Sequence, residues 1–355
     1  MEIGIPRALS FYNFYPFWYG FFTDLGIKIV LSDKTTKKTM TQGSSLVVSE
    51  TCLPVKVYVG HVLNLLEKGV DKIFTPSIQS IAPKIYNCSK IRGLPDLIRN
   101  VVKKDFTIIE ATLDKSEKKQ GLYEFLLEAV KPFGITDIKK VKQASKNGWK
   151  VLNNFHVMTR AGIPYKTAMK YALQDKVIVS NQIKSYPINV AVIAHGYNLY
   201  DERVSMKIFD KLENLDVKAY TADQLTIEQM QEGISSLDSK LYWANEHEIT
   251  GAASHFIQEN KIDGVIVINA FGCGPDSLMI EKISRFSKIK NKAFLNLSID
   301  EHTGEAGFIT RIEAFIDMLY RKKRSNIINN IEIEKDELTE ISIEERINKA
   351  IQIQN

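Results

Sequence analysis

Lys261-Ile-Asp-Gly-Val-Ile-Val-Ile-Asn-Ala-Phe-Gly-Cys-Gly-Pro-Asp276 reads as a helix end, a buried strand and a glycine-bounded turn. An unbroken Val/Ile run closed by Gly and Pro is what a strand covered on both faces looks like, and such strands pair in parallel. The grammar recurs upstream in Gly69-Val-Asp-Lys-Ile-Phe-Thr75, again with an Asp just before the strand. Working outward from these two stretches, Glu2–Pro6, Ile27–Ser32, Lys72–Ser77 and Phe106–Ala111 are expected as strands, with helices over Ser10–Leu25 and Lys56–Lys68. A second series follows in Asn189–Ala194, Val217–Thr221, Gly264–Ala270 and Ala293–Ile299, with helices near Arg203–Asn214 and Thr250–Asn260. Short buried strands alternating with helices imply an α/β fold with parallel sheets. The two series have the look of a duplication.

Between them, Leu122 to Lys176 carries apolar residues at helical spacing and few strand signals, so a helical connector is expected, broken at Gly162-Ile-Pro164. The division that follows is an α/β domain over 1–115, a connector over 116–185, a second α/β domain over 186–320 and a charged tail over 321–355. Arg311–Leu319 reads as a helix and Ile341–Ile351 as a final amphipathic one.

A chain of 355 residues has room for two ordinary domains, and 44% hydrophobic with 25% charged residues is a globular composition. The net charge of +5 lies in mixed Lys/Glu stretches, which speaks for solvated faces and against a nucleic-acid groove. The aromatic stretch from Phe11 to Val30 contains Pro16, Asp24 and Lys28, so it falls short of the roughly 20 apolar residues a membrane span needs. The opening Met-Glu-Ile-Gly-Ile-Pro has neither the basic nor the apolar region of a secretory signal. With reduced thiols, this points to the cytoplasm.

Three cysteines complete the thiol inventory: Cys52 in Glu50-Thr-Cys-Leu-Pro54, Cys88 in Asn87-Cys-Ser-Lys90, and Cys273 in Gly272-Cys-Gly-Pro-Asp276. All sit among residues that punctuate a chain, where backbone N–H groups are free to face a sulfur. An odd number excludes a fully paired set of intrachain disulfides. Two readings stay open. Spacing alone, with no Cys-x-x-Cys pair, favours three unconnected thiols. Position at or near carboxyl ends of parallel strands, where ligands bind in such sheets, makes shared ligation of a metal or cluster plausible.

Asp300-Glu-His-Thr-Gly-Glu-Ala-Gly307 follows the last strand of the second series. There His302 is a candidate acid or base, while Thr303 and Glu305 equally suit the start of a helix. Glu50, two residues before Cys52, is the carboxylate placed to meet whatever Cys52 binds; His61 and His195 are secondary candidates. No Gly-x-x-x-x-Gly-Lys-Ser/Thr loop and no Gly-x-Gly-x-x-Gly turn occurs, so neither route to a nucleotide is indicated.

Taken together, Ile3-Gly-Ile-Pro-Arg-Ala-Leu9, Tyr15-Pro-Phe-Trp18, Glu50-Thr-Cys-Leu-Pro-Val-Lys56 with Gly60-His61, Phe271-Gly-Cys-Gly-Pro-Asp-Ser277 and Asp300–Gly307 resemble the acyl-CoA dehydratase activase-related family over about residues 1–320. That family is related to the iron–sulfur subunits of 2-hydroxyacyl-CoA dehydratases. The resemblance implies two Rossmann-like domains and a 4Fe-4S cluster held by Cys52, Cys88 and Cys273 with one iron open. It implies electrons from a separate ATP-dependent activator, and a related iron–sulfur subunit in a heteromer or homodimer. Read with this, the chain is expected to be a dehydratase or reductase subunit, with Glu50, His302 and Glu305 as candidate catalytic or substrate-facing groups. A non-catalytic electron-transfer or scaffold subunit, and a zinc or metal-free binding protein, are the competing functions.

Overall fold

The computed structural model describes residues 1–116, 121–179, 184–237, 241 and 243–325. It divides into two compact units, Met1–Glu305 and Ala306–Asn355; of the second, residues 306–325 are described, and they are helical. The expected helix over Ile341–Ile351 lies outside the described residues.

The first unit opens with β1 (Glu2–Ile5), α1 (Phe11–Asp24), β2 (Lys28–Leu31), α2 (Lys37–Leu46), α3 (Leu53–Glu67) and β3 (Lys72–Phe74). Next come β4 (Ser77–Ala82), β5 (Ile85–Tyr86), α4 (Ser89–Arg92), α5 (Leu94–Val101), β6 (Thr107–Ile109) and β7 (Thr112–Asp114). Three helices follow: α6 (Leu122–Val130), α7 (Ile138–Arg160) and α8 (Tyr165–Ala172). The second series holds β8 (Ile188–Ile193), α9 (Gly196–Leu199), α10 (Ile208–Asn214), β9 (Val217–Tyr220), α11 (Ile227–Ser235), α12 (Ala244–Gln258), β10 (Gly264–Ala270), α13 (Gly274–Ile289) and β11 (Ala293–Ile299).

Two four-stranded parallel sheets result, β2-β1-β3-β6 and β11-β10-β8-β9. Counted within each series, both run second, first, third, fourth. The chain reverses direction across the sheet between the first and third strands, and the crevice at their carboxyl ends is where such sheets take ligands. In the first sheet that crevice lies beyond β1 and β3; in the second, beyond β8 and β10. We propose 1–115 and 186–320 as the limits of the two sheet-bearing halves, since every described strand falls within one or the other.

The expected strand Lys72–Ser77 is broken. Pro76 has no N–H to give and the strand is interrupted there, yet Thr75 and Ser77 still donate to the Ile109 and Ala111 carbonyls (3.1 and 2.8 Å), so pairing resumes beyond it in the same register. Residues 77–82 form a small sheet, β5-β4-β7, and the Cys88 segment follows its β5 strand. The helix expected near Arg203 begins at Ile208, because Met206 and Lys207 hold left-handed backbone with φ of 49° and 54°. The helix expected at Thr250 begins earlier, at Ala244, where Trp243 N–H donates to the Glu246 carboxylate.

α1 is an aromatic helix whose Trp18 packs on Phe74 and Phe125 and whose Phe22 packs on Phe74, in one core with residues of the connector helix α7. α2 and α3 approach so closely that a Cβ on Gly60 would stand 2.0 Å from the Thr39 carbonyl oxygen. That contact seats α3, whose first turn carries Cys52. Gly60→Ala is therefore expected to cost about 1–3 kcal/mol, the range for overpacking a filled interior. Thermal unfolding checks it: a Tm unchanged from wild type would refute the close approach.

Candidate functional site

Each cysteine sits at the residue that starts a helix: Cys52 ahead of α3, Cys88 ahead of α4 and Cys273 ahead of α13. All three have extended backbone, with their carbonyls already accepting the first helical N–H groups. The local sequence explains this. Pro54 and Pro275 stand at early helical positions, where the missing N–H is harmless. Gly272 takes φ +73°, turning the chain out of β10 into Cys273. The Cys88 turn is fixed by Asn87, whose backbone N–H donates to the Gln79 carbonyl (3.0 Å) and whose amide donates to the Ile78 carbonyl (3.0 Å).

The Glu50 carbonyl oxygen marks where the three turns meet. Lys90, two residues after Cys88, donates to it at 2.9 Å, and a Cβ on Gly272, next to Cys273, would lie 3.7 Å from it. The thiols feel one another. Burial pushes the Cys52 thiol up, the Lys90 ammonium and the Val55 N–H pull it down, and Cys88 and Asp276 raise it again. Burial and then the Asp276 carboxylate push Cys273 far up, with Cys52 adding to the rise. Among the described residues no group of three His, Cys, Asp or Glu side chains is gathered to hold a metal ion.

Behind Cys273 a buried pair crosses the crevice of the second sheet. His195, directly after Ala194 at the end of β8, meets Asp276 of α13, with Nε2 and Oδ1 2.7 Å apart. Burial alone lowers the imidazole's affinity for a proton, but the Asp276 carboxylate, with Glu248 behind it, outweighs burial and raises the pKa. Tyr197 stacks on the His195 ring at 5.0 Å.

Lys56, one turn after Cys52, has its ammonium buried. It donates to the Ser49 carbonyl (2.8 Å) and to Glu301 (2.5 Å), joining the Cys52 turn to the Asp300–Thr303 loop. Burial pushes Glu301 upward, yet the hydrogen bond and charge of Lys56 bring its pKa below the ordinary 4.5.

Next to Leu53 opens a cavity of about 780 Å³. It is lined among others by Arg7 beyond β1, Tyr12 of α1, Asp201 and Arg203 beyond α9, and Asp300, Glu301 and Glu305. The cysteines do not line it. Asp201 clasps the two halves of the unit across this space. One carboxylate oxygen accepts from Tyr12 (3.0 Å) and from Thr35, and the other accepts the backbone N–H groups of Arg203 (2.9 Å) and Val204 (3.2 Å). Because the Thr35 hydroxyl donates to Asp201, it accepts from Nε2–H of the fully buried His61 (2.8 Å), a histidine pushed down to about 3 by burial and Arg7.

The expected site residues separate into two places. The Cys52, Cys88 and Cys273 turns come together. Glu50 offers that meeting point its carbonyl, while its side chain is solvent-exposed. Glu305 lines the cavity, paired with Lys211 at 2.7 Å. His302 stands 85% exposed, outside the cavity lining. Thr303 exchanges hydrogen bonds with Asp300, closing a tight turn. Lys56, Asp201, Asp276 and Tyr197 escaped the sequence reading. Lys56 alone gave a signal, as one ammonium in the apolar run Leu53–Val62.

The sequence profile of the family described as CoA enzyme activase uncharacterised domain (DUF2229) matches residues 2–225. The chain belongs to that family. A second profile, that of the 2-hydroxyglutaryl-CoA dehydratase D-component, matches residues 191–319, the part that carries β10, Cys273 and the Asp300 loop. No curated protein matches the chain. Membership of this CoA enzyme activase family agrees with the resemblance read from the motifs. No helix among the described residues is long and apolar enough to cross a membrane.

The Lys56–Glu301 pair yields a pH test. A carboxylate with a lowered native pKa stabilises the fold above its unfolded value, near 4.5, and loses that contribution as pH falls through the native value. Glu301→Gln should lower Tm by a few degrees at pH 7, with the gap to wild type closing as pH falls below about 4. A gap constant from pH 7 to 3.5 would contradict the assignment.

Proposed function

We propose that this chain is an iron–sulfur subunit of an ATP-activated reductase or dehydratase system, acting on an acidic thioester of the CoA type. The observation that carries the reading is the convergence of the three cysteine turns, each at a helix start, on the Glu50 carbonyl. The donor chemistry fits a 4Fe-4S cluster: thiolates are its ligands, and three leave one iron open. Cys88 acts on the Cys52 thiol and Cys52 on the Cys273 thiol, which supports a shared neighbourhood. Both matched profiles are named for CoA enzymes, which supports the substrate class.

When bound, the cluster would supply a one-electron donor and a Lewis-acidic iron. The chain's residues do the rest. Cys52, Cys88 and Cys273 hold the group, Gly272 and Gly274 let backbone approach it, and Lys56 fixes the Cys52 turn. The cavity beside Leu53 receives the substrate. Arg7, Arg203 and Lys207 line it as cations that could meet anionic groups, with Arg203 and Lys207 also acting on the Glu305 carboxylate. Glu305 and Asp300 border the same space as substrate-facing groups. A separate activator hydrolyses ATP and delivers the electron, since the sequence holds no phosphate-binding loop. A related iron–sulfur subunit completes the assembly.

Anaerobically purified chain should be brown with about four irons, and Cys52→Ala, Cys88→Ala and Cys273→Ala should each lower iron content sharply. Acyl-CoA esters should perturb the EPR spectrum of the reduced protein. Stoichiometric zinc in a colourless protein would overturn the cluster. An iron-loaded protein indifferent to every ester would favour an electron relay.

A further inference from the structure

Arg7 is a cation held in place with most of its donors unused. It stands just beyond β1, and its Nε donates to the carbonyl oxygen of Ser32, the residue after β2, at 2.6 Å. Its backbone N–H donates to the Ser32 hydroxyl at 2.8 Å, and the guanidinium carbon lies 5.7 Å from the centre of the Phe11 ring. Anchored at Nε and against an aromatic ring, the group keeps both terminal nitrogens without a hydrogen-bond partner among the described residues, on the wall of the cavity of about 780 Å³. The cavity's own carboxylates are engaged elsewhere. Glu202 pairs with Lys34, Glu301 with Lys56 and Glu305 with Lys211. Asp201 accepts from Tyr12, Thr35 and two backbone N–H groups, and Asp300 from Thr303 and the His302 N–H. Asp33, which feels the charge of Arg7, is held by Lys68 and Asn64.

A second unused donor opens on the same space. Tyr15 of α1 is 6% exposed and lines the cavity, and its hydroxyl has no hydrogen-bond partner among the described residues. That hydroxyl is not sealed in the core, so what it meets is the cavity. A phenol placed in the interior normally finds an acceptor. Two neighbours on the cavity wall do: Tyr12 ends on Asp201 (3.0 Å) and Tyr165 on the Tyr12 carbonyl (2.7 Å). Phe11 joins the two unused groups, since its ring centre lies 4.7 Å from that of Tyr15 as well as beside the Arg7 guanidinium. Burial pushes the Tyr15 phenol up to about 12 against the pull of Arg7, so it keeps its proton near neutral pH and can donate it in a hydrogen bond.

We propose that Arg7 and Tyr15 form a subsite for a carboxylate, carried by a ligand whose apolar body lies along Phe11. The inference rests on the reading of this cavity as the substrate space, and adds a free carboxylate to the chemistry of its ligand. A guanidinium presents N–H donors in a planar fork that matches the two oxygens of a carboxylate, and hydrogen bonds between charged partners are roughly twice as strong as neutral ones. The Tyr15 hydroxyl adds a donor and no charge. A phosphate is the poorer occupant, because it brings more negative charge than one guanidinium answers. Phe11, Leu31, Met169 and Leu173 give the cavity apolar walls, which suit the body of an organic acid.

Ligand-observed NMR titration of the full chain tests this with phenylacetate, its neutral counterpart phenylacetamide and inorganic phosphate, and thermal unfolding is followed on the same samples. Phenylacetate should bind about tenfold tighter than either of the others, the scale of hydrogen bonds to a charged group. Tyr15→Phe keeps the ring and removes only the hydroxyl; it should weaken phenylacetate about tenfold, leave phenylacetamide unchanged and hold Tm within a few degrees. Arg7→Gln should abolish the preference for the acid over the amide. No binding of phenylacetate, equal binding of acid and amide, a preference for phosphate, or affinities indifferent to Tyr15→Phe would each overturn the subsite. Acyl-CoA esters that still perturb the reduced protein after such a result leave the substrate reading standing. Phenylacetate bound through Arg7 and Tyr15 in a protein indifferent to every ester keeps the subsite and removes that reading instead.

Discussion

A buried ammonium is costly unless its neighbours close on it, and Lys56 imposes that demand here. It sits one turn into α3 in an otherwise apolar run and is satisfied by the Ser49 carbonyl and Glu301. The first partner belongs to the segment that leads into Cys52; the second comes from the loop after the last strand of the second sheet. One side chain thus fixes the Cys52 turn and ties it to a loop nearly 250 residues away. Glu301 also lines the large cavity, so the same bond joins the thiol site to the candidate substrate space.

Around this tie the duplicated sheet order does the placing. Both sheets run second, first, third, fourth, so each has one crevice where its connections diverge. Cys273 follows the third strand of the second sheet directly. Cys88 follows the third strand of the first only after the β4–β5 excursion that Pro76 initiates. After the excursion, Lys90 of the Cys88 turn reaches the Glu50 carbonyl in the turn that carries Cys52. Asp201, accepting from Tyr12 and Thr35, clasps the halves on the cavity side.

Much of this was legible in the sequence. Unbroken Val/Ile runs announced β8, β10 and their parallel pairing, and β10 runs over the expected Gly264–Ala270. The connector broke at Gly162-Ile-Pro164 as its composition indicates. Where the reading fell short, the cause was local chemistry overruling apolar pattern. Pro76 cut a strand whose hydrophobicity continues past it, and paired left-handed residues delayed α10. The thiol turns were visible because Gly and Pro mark them. Asp276, Tyr197 and Asp201 were not, because a lone carboxylate or phenol gains meaning only from what folding sets beside it. Asp201 draws its partners from residues 12 and 35, a relation no local pattern encodes.

The central claim is that three cysteines from three separated turns hold one multi-iron group with an open position. Mössbauer spectroscopy of anaerobically prepared, iron-enriched protein tests it most directly. The account predicts a single four-iron centre in which one iron differs from the other three, in a ratio of roughly one to three. Four equivalent irons, a mononuclear iron signal, or no bound iron would contradict it.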